Sequence, residues 1–209
     1  MELSEARKEL EKVLTPIFQA NSFARRSSLV WMRAGQSDQF ILLGVRKDAR
    51  GHFAATVSLG IRFGITSQLL EGSPTNGIHI NAPLHLLESD GRFSEWNFSN
   101  ALQLRALAES AVRDFDTLIL PFFDRFGRPD KMRDRLQSET PRDWFTLSWE
   151  QRVELLAAIE AGLGNHAKAI ELVNAELEKL RDALPKKRYA LEELRAKLSG
   201  FNSKSQPAC

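Results

Sequence analysis

A strict two-residue alternation over residues 53–63 constrains the fold of this chain more than any other feature. Apolar side chains stand at every second position: Phe53, Ala55, Val57, Leu59, Ile61 and Phe63. Small or polar residues stand between them, and the last of these is an arginine. Because successive side chains of a strand point to opposite faces, this segment predicts a strand with one face on a core and the other polar or lightly covered.

Two strands are predicted before this one and a further strand after it, which makes an antiparallel sheet of about four strands. The segments 23–33 and 40–47 are followed by turn sequences of hairpin length, so they are expected to pair in sequence order. Residues 78–87 alternate again. Pro83 cannot donate to a ladder, so this last strand is expected at an edge of the sheet or is broken there.

Helical periodicity flanks the predicted strands. Residues 3–20 and 97–126 carry apolar stripes that would pack on one face of the sheet, which gives an α+β domain over residues 1–130. A polar, charged stretch with two prolines follows and marks the predicted boundary. Residues 131–209 are predicted to form a C-terminal helical hairpin or three-helix extension that ends in a disordered tail.

Composition narrows the functional classes. The 209-residue chain carries 29 Lys and Arg against 27 Asp and Glu, a net charge of +2, whereas a nucleic-acid coat or a polybasic membrane binder shows a larger excess. The single cysteine, Cys209, permits no intramolecular disulfide, and every apolar run is far shorter than the roughly 20 residues of a membrane helix. With a charged start that lacks a signal-peptide core, the sequence predicts a soluble, cytoplasmic protein without membrane contact.

Several short motifs resemble one bacterial protein family. The stretch Asn21–Arg26 enters a predicted strand, and Val57-Ser58-Leu59-Gly60-Ile61 forms another. Trp96 precedes a long helix that ends in Leu120-Pro121-Phe122-Phe123. This order resembles the family named domain of unknown function 4304 over roughly residues 5–136. The family has no established activity, so the resemblance implies a fold and supplies no catalytic residue.

A basic segment coincides with the first three predicted strands. Residues 22–65 have a net charge of +5, and residues 66–124 have a net charge of −5. The candidates for binding an anion or a partner are Arg25, Arg33, Arg46 and Arg62, with Trp31 available for stacking. The alternative is that the basic strands neutralise the acidic helix and loop. The equal and opposite charges favour this alternative, because a nucleic-acid footprint needs uncompensated charge on one face.

His85, Glu88 and Asp90 are weaker polar-site candidates, since they could converge at the end of the fourth strand. Exposed polar residues at a turn are the more common outcome. His79 and His85 would lie about 20 Å apart along a strand, too far to share one metal ion. The sequence has no GxSxG, HExxH or glycine-rich phosphate motif, so no catalytic, cofactor-binding or metal-ligating residue is predicted.

These observations favour a non-enzymatic module that binds another protein through the second sheet face or the C-terminal helices. The same helices offer a surface for homo-oligomers. Two alternatives stay open: binding of nucleic acid or another polyanion through strands 22–65, which the charge balance disfavours, and an enzyme whose site is not recognisable. Binding that weakens steeply with salt would indicate a polyanion binder. A large apolar patch would indicate a protein interface, and a pocket with converging titratable groups would indicate an enzyme.

Overall fold

The chain divides into two units in a computed structural model, which describes residues 1–70, 77–87, 95–138, 147–181 and 185–204. Unit 1 comprises Met1–Ile61 and Ile80–Gly127, and unit 2 comprises Arg62–His79 and Arg128–Cys209. The change of unit after Gly127 lies close to the boundary predicted near residue 130. A single boundary there misses the segment Arg62–His79, which belongs with the C-terminal helices.

Unit 1 is α+β and is built on an antiparallel sheet. In the described ranges the strands are β1 (Ala24–Ser27), β2 (Val30–Arg33), β3 (Asp38–Lys47), β4 (Phe53–Arg62), β5 (Ile80–Pro83) and β6 (Trp96–Phe98). The first five lie in the order β1-β2-β3-β4-β5, and β6 also pairs with β4. Strand β5 pairs with the end of β4 and β6 with its beginning, both antiparallel. The expected count of about four strands was therefore too low.

Strand β4 has the predicted two faces. Its alternating apolar side chains, from Phe53 to Ile61, are all buried, as is Phe63 just beyond it. On the other face Thr56 and Ser58 are half-buried but Ala54 and Gly60 are buried, so this face is more covered than the alternation predicts. The prediction for the strand that follows is also confirmed, because β5 ends at Pro83 and the chain continues in a short 3₁₀-helical turn.

The segment 23–33, predicted as one strand, is a hairpin of β1 and β2. The chain reverses at Ser28 and Leu29, and Leu29 takes a left-handed conformation with φ of 58°. Glu11, on helix α1 (Leu3–Ala20), holds this turn. Its Oε1 accepts the Leu29 N–H at 2.6 Å and the Ser28 hydroxyl at 2.9 Å. The turn contains no glycine, asparagine or proline, so its support comes from a distant helix rather than from local sequence.

Aromatic side chains join the helices of unit 1 to its sheet. Besides α1 these helices are α2 (Ala101–Asp114) and α3 (Leu120–Phe126), which a π-helical turn (Phe115–Ile119) connects. Phe18 of α1 meets Trp31 of β2 edge-on, with 4.9 Å between ring centroids. Phe115 packs against both Phe18 and Phe23. The π-helical turn ends two residues before Pro121, which has no N–H to donate to a hydrogen bond of a regular helix.

Unit 2 is helical and has its own apolar core. Its described helices are α4 (Pro129–Gln137), α5 (Trp149–Gly162), α6 (His166–Lys179) and α7 (Pro185–Lys204). Alanines of α5 and α6, leucines of α7 and Leu69 from the segment Arg62–His79 form this core. Glu160 of α5 is fully buried and accepts hydrogen bonds from Gln137, Asn165 and Lys168. The described extension thus has four helices, which is more than the hairpin or three helices expected.

None of the helices in the described part of the chain combines the length and the apolar character that membrane crossing requires.

We predict that Glu11→Gln destabilises unit 1. The substitution removes the charge that accepts the Ser28 and Leu29 hydrogen bonds and that pairs with Arg25 at 2.7 Å. The free energy of unfolding, measured by urea titration, is expected to fall by about 1–3 kcal/mol. Glu9→Gln on the same helix is the control, because Glu9 makes only a 4.0 Å contact with Lys12. An equal loss in both variants would contradict the role given to Glu11.

Candidate ligand-binding cleft

Unit 1 contains a cleft of about 540 Å³ beside the turn that joins β3 to β4. Its walls are this turn, strand β6 with its flanking residues, and one side of α2. The lining residues are Asp48, His52, Glu95, Trp96, Asn97, Phe98, Ser99, Gln103, Ala106, Leu107 and Ser110. The cleft is of a size that accommodates a small ligand or a long side chain.

The β3–β4 turn presents Asp48 and His52. Asp48 Oδ1 accepts the N–H groups of Arg50 at 2.8 Å and His52 at 2.9 Å, and Gly51 has a φ of 82° that closes the turn. The hydrogen bond from His52, together with that from Arg50, holds the pKa of Asp48 below its ordinary value against the effect of desolvation. His52 Nδ1 lies 3.5 Å from Asp48 Oδ2. Asp48 is therefore an ionised acceptor at neutral pH.

Glu95 stands just before β6 and is paired with Arg46 of β3. Arg46 Nη2 donates to Glu95 Oε2 at 2.6 Å, and Arg46 Nε donates to Oε1 at 3.2 Å. The side chain of Glu95 is 9% exposed and that of Arg46 is 60% exposed. These hydrogen bonds raise the pKa of Arg46. The pair is a bidentate carboxylate–guanidinium contact, which is the strong geometry for these two groups.

Strand β6, one of the walls of the cleft, is held in place by strand pairing and ring packing. Phe98 lies opposite Phe53 of β4, and the two rings stack with 5.4 Å between centroids. Trp96 Nε1 donates to Asp114 Oδ2 of α2 at 2.9 Å. These contacts bury the apolar faces of β6 and leave Asn97 exposed. The polar side of β6 is thus turned away from the core.

One side of α2 forms the last wall. Gln103, Ala106, Leu107 and Ser110 recur at intervals of three and four residues, so they share one side of the helix. Gln103 Oε1 accepts both the N–H and the hydroxyl of Ser99, at 2.7 and 2.8 Å. These hydrogen bonds fix the conformation of the chain just before α2. The NH₂ group of Gln103 keeps its capacity to donate a hydrogen bond.

The structure does not bring the predicted basic residues together into one site. Arg25 pairs with Glu11 at 2.7 Å. Arg33 donates twice to Gln39 and lies over the ring of Phe23, and burial lowers its pKa against the charge of Asp124. Within unit 1, Arg25 thus has a carboxylate partner and Arg33 has a neutral amide partner.

Trp31 and Arg62 complete the predicted basic set. Trp31 is fully buried against Phe18, which corrects the expectation that its ring is available for stacking on a base. Arg62 belongs to unit 2, where its side chain lies beside Gly77. Within the predicted set, Arg46 contacts Glu95, which lines the cleft.

The weaker polar candidates lie only partly in the part of the chain that the structure describes. His85 is half-buried in the 3₁₀-helical turn after β5, while Glu88 and Asp90 lie outside the described residues. Within the described ranges, no group of three or more His, Cys, Asp or Glu residues has a geometry that could hold a metal ion.

His79 is a buried structural residue of unit 2 rather than part of an exposed polar face. Its Nδ1 accepts the Phe63 N–H at 3.0 Å, and Thr66 Oγ1 lies 3.1 Å from the same nitrogen. Burial, with a further contribution from the charge of Arg62, lowers the pKa of His79 to about 4. His79 therefore stays neutral over the physiological range.

We predict that His79 makes the fold sensitive to mild acid. The unfolded chain takes up a proton near pH 6.5 and the folded chain only near pH 4, so acidification favours unfolding across this window. The free energy of unfolding should fall by at most about 3 kcal/mol between these two values. His79→Asn, which keeps an acceptor for the Phe63 N–H, should lose this part of the pH dependence of the free energy of unfolding. His52→Asn should retain it. An equal pH dependence in the wild type and in His79→Asn would contradict the prediction.

The pKa of Glu154, on α5, is shifted upward rather than downward. Burial raises its pKa to about 7, with contributions from Glu150 one turn earlier and Glu193 of α7. Its folded pKa lies above the ordinary 4.5, so its protonated form stabilises unit 2 at low pH, and this contribution is lost as pH rises through 7.

We predict that Glu154→Gln stabilises unit 2 at pH 8. The neutral amide removes a half-buried charge that faces two other carboxylates, so the free energy of unfolding should rise by about 1–2 kcal/mol after allowance for solvent screening. No such gain is expected at pH 4, where Glu154 is already protonated. Glu171→Gln, at an exposed position of α6, is the control. A gain of equal size at both pH values would contradict this explanation.

None of the residues that line the cleft is among the site residues predicted from the sequence. The sequence predicts Asp48 only as part of a hairpin turn and assigns no role to His52. The alternation of polar Glu95, Asn97 and Ser99 with apolar Trp96 and Phe98 is a two-residue period that indicates a strand, and it was the one signal that could have identified β6.

Comparison with known proteins gives no match. No family model fits the sequence, and neither a curated protein nor a solved structure is similar to it at a significant level. The resemblance to the domain of unknown function 4304 family therefore stays a prediction, and the geometry of the cleft is the basis on which a function can be assigned.

Proposed function

We propose that this protein is a non-enzymatic module that binds another protein by holding a cationic side chain, of lysine or arginine, in the cleft of unit 1. One observation carries the proposal. The described residues that line the cleft include the carboxylates Asp48 and Glu95 but neither lysine nor arginine, in a chain with 29 such residues. An ionised acceptor in a concave site favours a guest that donates hydrogen bonds and carries positive charge.

Asp48 is the principal anchor in this proposal. Its Oδ1 is occupied by two backbone N–H groups, which fix the carboxylate and keep it ionised. Its Oδ2 lies 3.5 Å from Nδ1 of His52, which is longer than an ordinary hydrogen bond. A charged donor on the guest would therefore meet a preorganised oxygen, which reduces the cost of ordering the site on binding.

The rest of the lining suits the stem of a long basic side chain. Leu107 and Ala106 offer apolar surface to methylene groups, as lysine and arginine stems require. Asn97 and Gln103 add neutral amides at the edge, where the backbone of a bound peptide could accept hydrogen bonds. The cleft can thus receive both parts of such a side chain.

The same geometry argues against the two alternatives. In the described structure no hydroxyl of the lining donates to His52, and Ser99 is bonded to Gln103 instead, so the nucleophile–base pair of an acyl-transfer enzyme is not assembled. Arg25 and Arg46 are each paired with a glutamate, which lowers the uncompensated charge that these strands offer to a polyanion.

We predict that Asp48→Asn abolishes most of the binding. Full-length, ¹⁵N-labelled protein would be titrated with acetyl-Gly-Arg-Gly-amide, with the lysine equivalent, and with the citrulline equivalent, which matches arginine in shape without its charge. The two cationic peptides should shift the amide signals of residues 48–52, 95–99 and 103–110, and the citrulline peptide should not. Asp48→Asn should raise the dissociation constant at least about tenfold, because the amide keeps the turn's acceptor and loses the charge.

Glu109→Gln is the matched control, since Glu109 is an exposed acid on α2 that does not line the cleft. Its dissociation constants should equal those of the wild type. Equal shifts with the citrulline and arginine peptides would refute recognition of charge. An absence of shifts with every peptide would refute the cleft as a site for cationic side chains.

A further inference from the structure

We infer that the cleft selects a guanidinium over an ammonium group, and that Arg46 is a built-in competitor that the guest's arginine displaces from Glu95. This inference rests on the proposed function, because it concerns the same cleft. It assigns a specificity to Glu95 and a gating role to Arg46.

The first support is the geometry of the existing pair. Glu95 lines the cleft and already binds one guanidinium through two hydrogen bonds, from Nη2 at 2.6 Å and from Nε at 3.2 Å. A carboxylate fixed in this orientation matches the planar fork of arginine. A lysine ammonium presents a point charge and cannot form the same two parallel bonds.

The second support is the difference in burial between the two partners. The Glu95 side chain is 9% exposed, whereas the Arg46 side chain is 60% exposed. Arg46 is not a lining residue of the cleft, so the carboxylate contacts the cleft and its present partner at the same time. Release of Arg46 would return an already largely hydrated side chain to water, which makes exchange of one guanidinium for another feasible.

The third support is the position of the two residues in the sheet. Arg46 is on β3 and Glu95 immediately precedes β6, and β4 lies between these strands. The pair therefore spans a strand, and the long arginine side chain must be held extended to reach its partner. Ordering such a side chain costs rotamer entropy, which weakens the Arg46–Glu95 pair and is regained when Arg46 is released.

The consequence is that Arg46 lowers the affinity of the cleft for its guest. With Arg46 bound, Glu95 is neutralised and a guest depends on Asp48. With Arg46 removed, Glu95 is a nearly buried carboxylate without its guanidinium, and an incoming arginine restores that pair. The gain should be larger for arginine than for lysine.

The test compares Arg46→Gln and Lys47→Gln with the wild type, as full-length proteins and with the same three peptides. Arg46→Gln should lower the dissociation constant for the arginine peptide about tenfold and for the lysine peptide less than threefold. Lys47→Gln removes the neighbouring positive charge, which contacts Glu2 rather than Glu95, and should change both values less than twofold. Equal gains in affinity from both variants would overturn the inference, because they would show that the loss of any nearby positive charge strengthens binding.

A second measurement does not depend on the folding of a variant. In the wild type, the Arg46 Nε–Hε signal should move toward that of a solvated arginine when the arginine peptide saturates the cleft. An unchanged signal at saturation would overturn the displacement of Arg46 while leaving the proposed function intact. If no peptide binds to the wild type or to Arg46→Gln, the proposed function fails and this inference fails with it.

Discussion

The burial of strand β4 is the constraint on which the rest of unit 1 depends. Its alternating apolar side chains are buried on one face, and hydrogen bonds to β3, β5 and β6 engage both of its edges. Because a shift of one residue would turn the whole apolar set to the other face, the register of all three neighbours is strongly specified. That register places the β3–β4 turn, β6 and the start of α2 around one cleft. The chemistry of the cleft is therefore set by strand pairing.

Periodicity predicted the parts of the fold that depend on local pattern. The faces of β4, the break at Pro83 and the presence of α1 follow from spacing that any reader of the sequence can see. The β1–β2 hairpin does not, because Glu11 supplies its support from another element. A short turn without glycine or proline, flanked by apolar residues, reads as continuous strand when its stabilising partner is remote in sequence.

The candidate site was hidden for a related reason. The charge balance favours neutralisation of the basic strands by residues 66–124, and Arg46 is bonded to Glu95 of that segment, whereas Arg25 pairs with Glu11 of α1 outside it. A count of charges does not identify which acidic residue pairs with which basic residue, since the partner of Arg46 is 49 residues away. It also cannot say that Trp31 enters the core while Asp48 stays at the surface. Such pairings depend on topology, and local sequence carries little information about them.

The assignment of Arg62–His79 to unit 2 has a consequence for dissecting the chain. The polypeptide leaves unit 1 after Ile61, returns at Ile80 and leaves again after Gly127. Neither unit is therefore a continuous stretch of sequence, and no single cut can release both as complete bodies. A fragment that stops near residue 130 would carry Leu69 without the helices whose core it completes. The two units are interleaved along the gene, and their stabilities have to be studied in the intact polypeptide.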